Sequence, residues 1–320
     1  MSGPQDLATV EAVPHGRTAR RLEWAHLPPE LRALVEGRLG SPVVRAESQG
    51  SGFTPGFASR LTSENGARLF VKAASRKAQG PFAEAYAEEA RKIALLPVGI
   101  PAPRLLWTHE DELWVVLAFE DVEGRAPRRP WVEAELRACL DALATTAEVT
   151  RPALRGLGLR PLTEELPGLV TGWEYVARTD PSWPHLADVR ALVADHALDP
   201  VADSFVHSDA RDDNFLLLAD GSALLCDWNW PALGPAWLDA AWLLVSAHGD
   251  GLDADALLAS HPLTREADPD QVDGWLAMLC GFMLEARDRP VPPTSPYLRV
   301  HSRWWSEAAW AWLAERRGWR

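Results

Sequence analysis

The chain has 320 residues, 47% hydrophobic and 24% charged, enough for two packed cores and ordinary for a soluble globular protein. Its net charge of −13 falls almost wholly after residue 121, a balance that disfavours nucleic-acid backbones and serves either solubility or the attraction of cationic small molecules. Cys139, Cys226 and Cys280 lie far apart, which excludes a disulfide framework or zinc spacing, and no apolar run reaches the length of a membrane span.

Residues 1–42 read as a leader and a first helix. Met1 to Arg21 is polar, with scattered arginines and no hydrophobic signal core, so a mobile leader and a cytoplasmic location are expected. Pro28-Pro29-Glu30 then opens an amphipathic helix carrying Leu31, Leu34, Val35 and Leu39, and Gly40 ends it.

Residues 43–121 change to strand texture. Val43 to Gln49 and Phe57 to Thr62 flank the loop Gly50-Ser51-Gly52-Phe53-Thr54-Pro55-Gly56, and a turn at Glu64-Asn65-Gly66 leads to a third strand, Arg68 to Ala73. Strand, glycine loop, strand is a layout that lets backbone N–H groups approach phosphate oxygens where Cβ atoms are absent, so Gly50, Ser51 and Gly52 are candidate phosphate contacts. The same pattern also serves as a plain hairpin turn. Lys72 stands in the apolar run Leu69-Phe70-Val71-Lys72 of a chain with only three lysines, and its compact ammonium suits phosphate oxygens. Pro81 to Leu96 predicts a helix with Phe82, Tyr86, Ile93 and Leu96 on one stripe. Glu89 falls on that stripe and calls for a buried cation, which Lys72 supplies; Glu88 is the alternative. Two further strands, Arg104 to Thr108 and Leu113 to Phe119, complete a five-stranded antiparallel sheet with one helix. Phe119 to Gly124 then reads as the hinge to the next lobe.

Residues 122–320 are mainly helical. Val132 to Val149, Leu186 to Ala197, Trp237 to Ser246, Asp270 to Arg287 and Tyr297 to Arg317 carry apolar residues at three- and four-residue intervals. The one clear β element expected here is a hairpin: Leu216 to Leu218 and Ala223 to Cys226 joined by Asp220-Gly221, a dipeptide that tolerates the positive φ of a tight turn. That hairpin brings Asn214 beside Asp227, two oxygen ligands of the kind Mg²⁺ takes alongside nucleotide phosphates. Asp209, on the loop entering the hairpin, is placed to accept a proton from an incoming hydroxyl.

His207-Ser208-Asp209 through Asn214, followed by a hairpin and Asp227-Trp228, resembles the catalytic and metal-binding loops of the protein-kinase-like superfamily, and within it the aminoglycoside phosphotransferase family of small-molecule kinases. The glycine loop, Lys72, Glu89, hinge, catalytic loop and Asp227 occur in that family's order over about residues 43–245. The resemblance implies a two-lobed α+β fold and ATP- or GTP-dependent transfer of phosphate to a hydroxyl. In it Asp209 is the base, Asn214 and Asp227 hold Mg²⁺, Lys72 contacts the nucleotide phosphates and pairs with Glu89, and hinge backbone around Glu120 and Val122 receives the nucleobase. It further implies that Arg211 stabilises charge near the transferred phosphate and that Asp239 braces the loop. His207 reads as a structural residue, and Asp212 and Asp213 as solvated neighbours. The sequence departs from the family at Ala210, at Ser208 and in the displaced third loop glycine.

The acceptor expected is a small polar molecule bearing amine or sugar groups, an aminoglycoside or other antibiotic among the candidates, with no nucleic-acid or membrane partner and a monomeric or homodimeric chain. A metabolite kinase of the choline, homoserine or fructosamine type and a nucleotide-binding pseudokinase are the alternatives. The absence of a long segment between Asp227 and Asp239 leaves little room for docking a peptide. Two features stay open. The tryptophans Trp173, Trp183, Trp275, Trp304, Trp305, Trp310 and Trp312 fill a core or wall a substrate site, and Asp250, Asp253 and Asp255 receive amines or cap a helix.

Overall fold

The structure, a computed structural model, describes residues 18–53, 55–196, 198 and 201–319. Its first half is built on five antiparallel strands in the order β1-β2-β3-β5-β4: β1 (Val43–Ser48), β2 (Phe57–Ser63), β3 (Arg68–Ser75), β4 (Leu105–Glu110) and β5 (Trp114–Glu120). Period-two alternation gives the sheet two working faces. Leu69, Val71 and Ala73 of β3, with Val116 and Ala118 of β5, pack against Leu31, Val35 and Leu39 of α1 (Pro29–Leu39). Val115, Leu117 and Phe119 point the other way, onto Ala83, Tyr86 and Ala87 of α2 (Gly80–Leu95). Lys72 lies on this second face, since it alternates with Val71 and Ala73, and that is what turns it toward α2.

The second half packs α3 (Glu133–Thr150), the short α4 (Leu162–Glu165), α5 (Gly168–Thr179), α6 (Leu186–Asp195), α7 (Leu238–Gly249), α8 (Ala254–Ser260), α9 (Pro269–Asp288) and α10 (Leu298–Arg317) around one continuous apolar core. The five helices read from periodicity are present, with bounds shifted by a residue or a few; Ala197, expected at the end of α6, lies outside the described residues. The hairpin forms as β7 (Phe215–Leu217) and β8 (Ala223–Leu225), turned at Gly221 with φ of 88°. It is not the only β element of this half. β6 (Ser204–Val206) and β9 (Ala232–Gly234) pair antiparallel, and their three-residue, buried strands are too short to show an alternation in sequence. No described helix is long and apolar enough to cross a membrane.

Two backbone links fix the hairpin, one to the first half and one to the segment that leaves it. Leu225 N–H donates to the Pro101 carbonyl at 2.7 Å, and Arg125, just past β5, exchanges backbone hydrogen bonds with Leu217 at 3.1 and 2.7 Å. Of the leader expected over residues 1–21, residues 1–17 lie outside the described residues. Thr18 to Arg21 lie on the glycine loop, where Thr18 and Ala19 N–H donate to the Gly50 carbonyl at 2.8 and 3.1 Å.

Candidate active site

The loop between β6 and β7 carries the first set of polar groups. Ser208 adopts φ of 57°, a left-handed conformation unfavourable for a residue with a Cβ, and Asp239 on α7 holds it there. The buried Asp239 carboxylate accepts the N–H groups of His207 and Ser208 at 2.6 and 2.9 Å, and the Ser208 hydroxyl donates to the Trp230 carbonyl. Burial pushes Asp239 up to about 7, against those two donors. Burial likewise drives the His207 imidazole down to about 4, so the ring is neutral at pH 7. Its Nε2–H donates to the Cys226 carbonyl at 3.0 Å, which ties the loop to the hairpin and leaves Nδ1 buried with no hydrogen-bond partner among the described residues.

Asp209 follows. Its carboxylate takes the Asn214 side-chain N–H at 3.0 Å and the Arg211 guanidinium at 2.5 Å, and the same Asn214 amide nitrogen reaches the Asp209 backbone carbonyl at 2.8 Å. Burial raises Asp209 to about 6, partly countered by Arg211, so a largely buried carboxylate on this loop can exchange a proton near neutrality. Arg211 also grips Asp213 at 2.9 Å and lies over the Phe53 ring of the glycine loop, 5.5 Å from its centroid. Asp212 pairs with the buried Arg129 at 2.8 Å, and Arg129 with Asp250 at 2.6 Å. The reading of Asp212 and Asp213 as solvated is therefore corrected: both brace the loop.

Asn214 and Asp227 are neighbours across the hairpin, joined where Cys226 N–H donates to the Asn214 carbonyl at 2.8 Å. Asp227 itself has φ of 66°. One of its oxygens, Oδ1, accepts from Lys72 Nζ at 2.8 Å and from the Asn229 amide at 2.5 Å; Oδ2 has no hydrogen-bond partner among the described residues. The Asn214 amide turns its nitrogen to Asp209 and hence its oxygen away. The site thus offers two hard oxygens, a donor set that fits a magnesium ion completed by phosphate and water. Among the described residues no group of three or more His, Cys, Asp or Glu is arranged to hold a metal.

Lys72 joins the two halves. Its ammonium donates to both Glu89 oxygens, at 2.7 and 3.0 Å, as well as to Asp227. Burial alone would lower Lys72, but the Asp227 and Glu89 carboxylates outweigh it and hold the amine above the usual lysine range. The two acids share that charge unequally. Burial pushes the fully buried Glu89 up to about 7, whereas Asp227 falls to about 2 because Lys72 more than offsets its burial. Glu88 points outward to Arg91, so Glu89 is the partner of Lys72.

A cleft of about 290 Å³ runs between the sheet and the hairpin, lined by Ser51, Gly52, Lys72, Glu89, Glu120, Val122, Asn214 and Asp227 among others. Gly50 is not on its wall; its carbonyl accepts from Thr18 and Ala19 instead. The hinge is braced by Asp121, which pairs with Arg60 at 2.6 Å and Arg68 at 2.7 Å, and the Val122 carbonyl accepts from Arg60 at 3.3 Å. Asp209 and Arg211 stand beside the cleft at its Asn214 end rather than on its wall.

The two open features resolve toward structure. Trp173, Trp275, Trp304, Trp305 and Trp312 are buried in the core, while Trp183 and Trp310 are half-buried against them. Asp250 pairs with Arg129, Asp253 caps α8, and Asp255 pairs with Arg316. The sequence does not single out Arg129, in the proline-bearing run Ala126 to Pro130, or Arg21, at the end of the expected leader. A buried partner for Asp212 and Asp250 leaves no local signal in sequence.

A family model described as the phosphotransferase enzyme family, APH, matches residues 51–288. No curated protein matches the chain. Among solved structures, an aminoglycoside phosphotransferase from Alicyclobacillus acidocaldarius subsp. acidocaldarius DSM 446 is 16% identical, with a TM-score of 0.55 over 91% of this chain and 96% of its own. The choline kinase LicA from Streptococcus pneumoniae is 14% identical, with a TM-score of 0.57 over 89% of this chain and 99% of its own. The spectinomycin phosphotransferase APH(9)-Ia, solved with ADP and spectinomycin, is 14% identical, with a TM-score of 0.59 over 90% of this chain and 98% of its own. At these identities the likeness is one of fold.

Proposed function

The chain belongs to the phosphotransferase enzyme family, and from that premise we propose that it transfers the γ-phosphate of ATP or GTP to a hydroxyl of a small polar molecule with the help of Mg²⁺. The observation that carries this reading is the convergence, at one cleft, of the Lys72–Glu89 pair, Asp227 and the Asn214–Asp209 pair.

In this proposal Asp209 is the base. Both its oxygens already accept hydrogen bonds, but each keeps a second lone pair for the acceptor hydroxyl. The hydroxyl oxygen attacks the γ-phosphorus as its proton passes to Asp209, the bond to the bridging oxygen breaks, and the nucleoside diphosphate departs. Asn214 and Asp227 would hold Mg²⁺, which supplies charge neutralisation on the phosphates. Lys72 positions the nucleotide phosphates, Glu89 keeps the lysine extended, and Ser51 and Gly52 close over the phosphate chain. Backbone groups at Glu120 and Val122 receive the base. Arg211 lowers the Asp209 pKa and adds positive charge beside the transferred group. Asp209, Asn214 and Asp227 are all present, which favours turnover over nucleotide binding alone.

For the acceptor, an amine- or sugar-bearing molecule remains our proposal, with antibiotics and choline-like amino alcohols as the first candidates. Asp250 and Asp255 are engaged by arginines and are not free to receive an amine, so any amine contact falls to other residues. A panel of aminoglycosides, other hydroxylated antibiotics, amino alcohols and sugars, assayed for phosphate transfer from ATP and GTP, tests this. Transfer to a panel member that is lost in Asp209→Ala supports the proposal, and transfer undiminished in that variant would sink the role of Asp209.

A further inference from the structure

The segment before α1 delivers a charged side chain to the cleft. Thr18 and Ala19 bond the Gly50 carbonyl, the Thr18 hydroxyl bonds the Gly52 carbonyl, and Arg20 N–H donates to the Thr294 carbonyl at 2.9 Å. Held at these points, the chain runs across the glycine loop and turns Arg21 inward onto the cleft wall it shares with Lys72 and Asp227. One guanidinium nitrogen, Nη2, donates to the Ser51 carbonyl at 2.6 Å and lies 3.4 Å from where a Cβ on Gly52 would stand. The Nε–H is buried and has no hydrogen-bond partner among the described residues.

The other cations on this wall are already matched. Arg60 pairs with Asp121, Arg125 with Glu135, and Lys72 with both Glu89 and Asp227. Arg21 makes no ion pair with a carboxylate among the described residues, although its charge reaches Asp227 across the cleft and helps hold that carboxyl down. A triphosphate brings several negative charges into a cleft where Lys72 is offset twice over, and a guanidinium with unused donors is the group suited to meet them. The glycine loop is also held down from the far side. The Ser295 hydroxyl donates to the Phe53 carbonyl at 2.5 Å, and the Phe53 ring packs at a tilt against His301 of α10, centroids 4.8 Å apart, while Arg211 covers it.

We propose that Arg21 is a second phosphate-binding cation of the nucleotide site, brought over the glycine loop by the segment that precedes α1. This rests on the nucleotide reading above, yet lies outside the part of the chain that the family model matches, residues 51–288. The competing role is a tie to the Ser51 carbonyl alone. Arg21→Gln separates the two, because glutamine keeps an N–H donor for that carbonyl and loses the charge.

The test is titration of the full chain with Mg-ATP, Mg-ADP and adenosine, followed by calorimetry, for wild type, Arg21→Ala, Arg21→Gln and Arg21→Lys. We expect Arg21→Ala and Arg21→Gln each to weaken Mg-ATP binding at least about tenfold, the scale of one charge-assisted hydrogen bond. Adenosine binding stays unchanged, and Arg21→Lys recovers part of the loss. Wild-type Mg-ATP affinity in Arg21→Gln would overturn the inference while leaving the nucleotide site standing. A wild-type protein that binds Mg-ATP no better than adenosine would overturn the nucleotide reading and this inference together.

Discussion

Replacing Lys72 by methionine keeps the length of the side chain and withdraws the cation that two carboxylates share. Glu89 is fully buried and the Asp227 side chain is 26% exposed. Breaking a buried ion pair from one side costs about 3–5 kcal/mol, because the remaining charge is uncompensated. Glu89 can reduce that cost by taking a proton, since burial already raises it to about 7 and loss of Lys72 raises it further. A carboxyl whose folded pKa exceeds its unfolded value, about 4.3, contributes stability that is complete below that value and is lost as pH rises through the folded pKa. The deficit of Lys72→Met relative to wild type is therefore predicted to be smaller near about pH 5, where what remains is the loss of the cation that holds Asp227 down, and to approach about 3–5 kcal/mol at alkaline pH. At about 2 °C per kcal/mol for a chain of this size, the melting temperature falls by about 6–10 °C at the alkaline end. Thermal melts by circular dichroism across that range read it directly. A deficit of the same size at every pH, or none, would refute the shared-cation argument.

The same reasoning yields three further predictions. The rate of phosphate transfer should rise with pH through about 6 and then level, as Asp209 ionises, and Arg211→Ala should move that limb to higher pH because Arg211 holds the Asp209 pKa down; a pH–rate profile unmoved in the variant would exclude Asp209 as the titrating group. Asp239→Ala strands the buried N–H groups of His207 and Ser208. It should cost about 3 kcal/mol in denaturant unfolding and lower kcat at least about tenfold, while Asp239→Asn, which keeps one acceptor, loses less. Gly172→Ala sets a Cβ 2.3 Å from the Gly281 carbonyl carbon where α5 crosses α9, so the helices must part at about 3 kcal/mol or more, visible as a melting temperature lowered by about 6 °C.

What could be read before the structure was whatever leaves a local or periodic trace. The alternation in β3 and β5 fixes which side chains face α2, and an acid on the apolar stripe of α2 singles out Glu89. Asp220-Gly221 announces the hairpin that sets Asn214 beside Asp227. The missed parts are those made by contacts distant in sequence. Arg129 looks like linker until Asp212 and Asp250 close on it from 83 and 121 positions away. Helix α5 is obscured by Pro167, Gly168 and Gly172, poor helix formers in isolation, yet at Gly172 the close approach of α9 leaves no room for a side chain. Thr18 to Arg21 carry no periodicity, and their partners, the glycine loop and the Thr294 carbonyl, meet them only in the folded chain.

Whether Asp209 takes the proton of a small-molecule hydroxyl as phosphate is transferred to it can be read in a single coupled assay. Nucleoside diphosphate release and phosphorylated product are followed together for wild type and Asp209→Ala with Mg-ATP and an acceptor identified from the panel. We expect one product molecule per diphosphate in wild type, and a loss of at least about a hundredfold in the variant with Mg-ATP affinity retained. Product formation by Asp209→Ala at the wild-type rate would contradict proton transfer to Asp209.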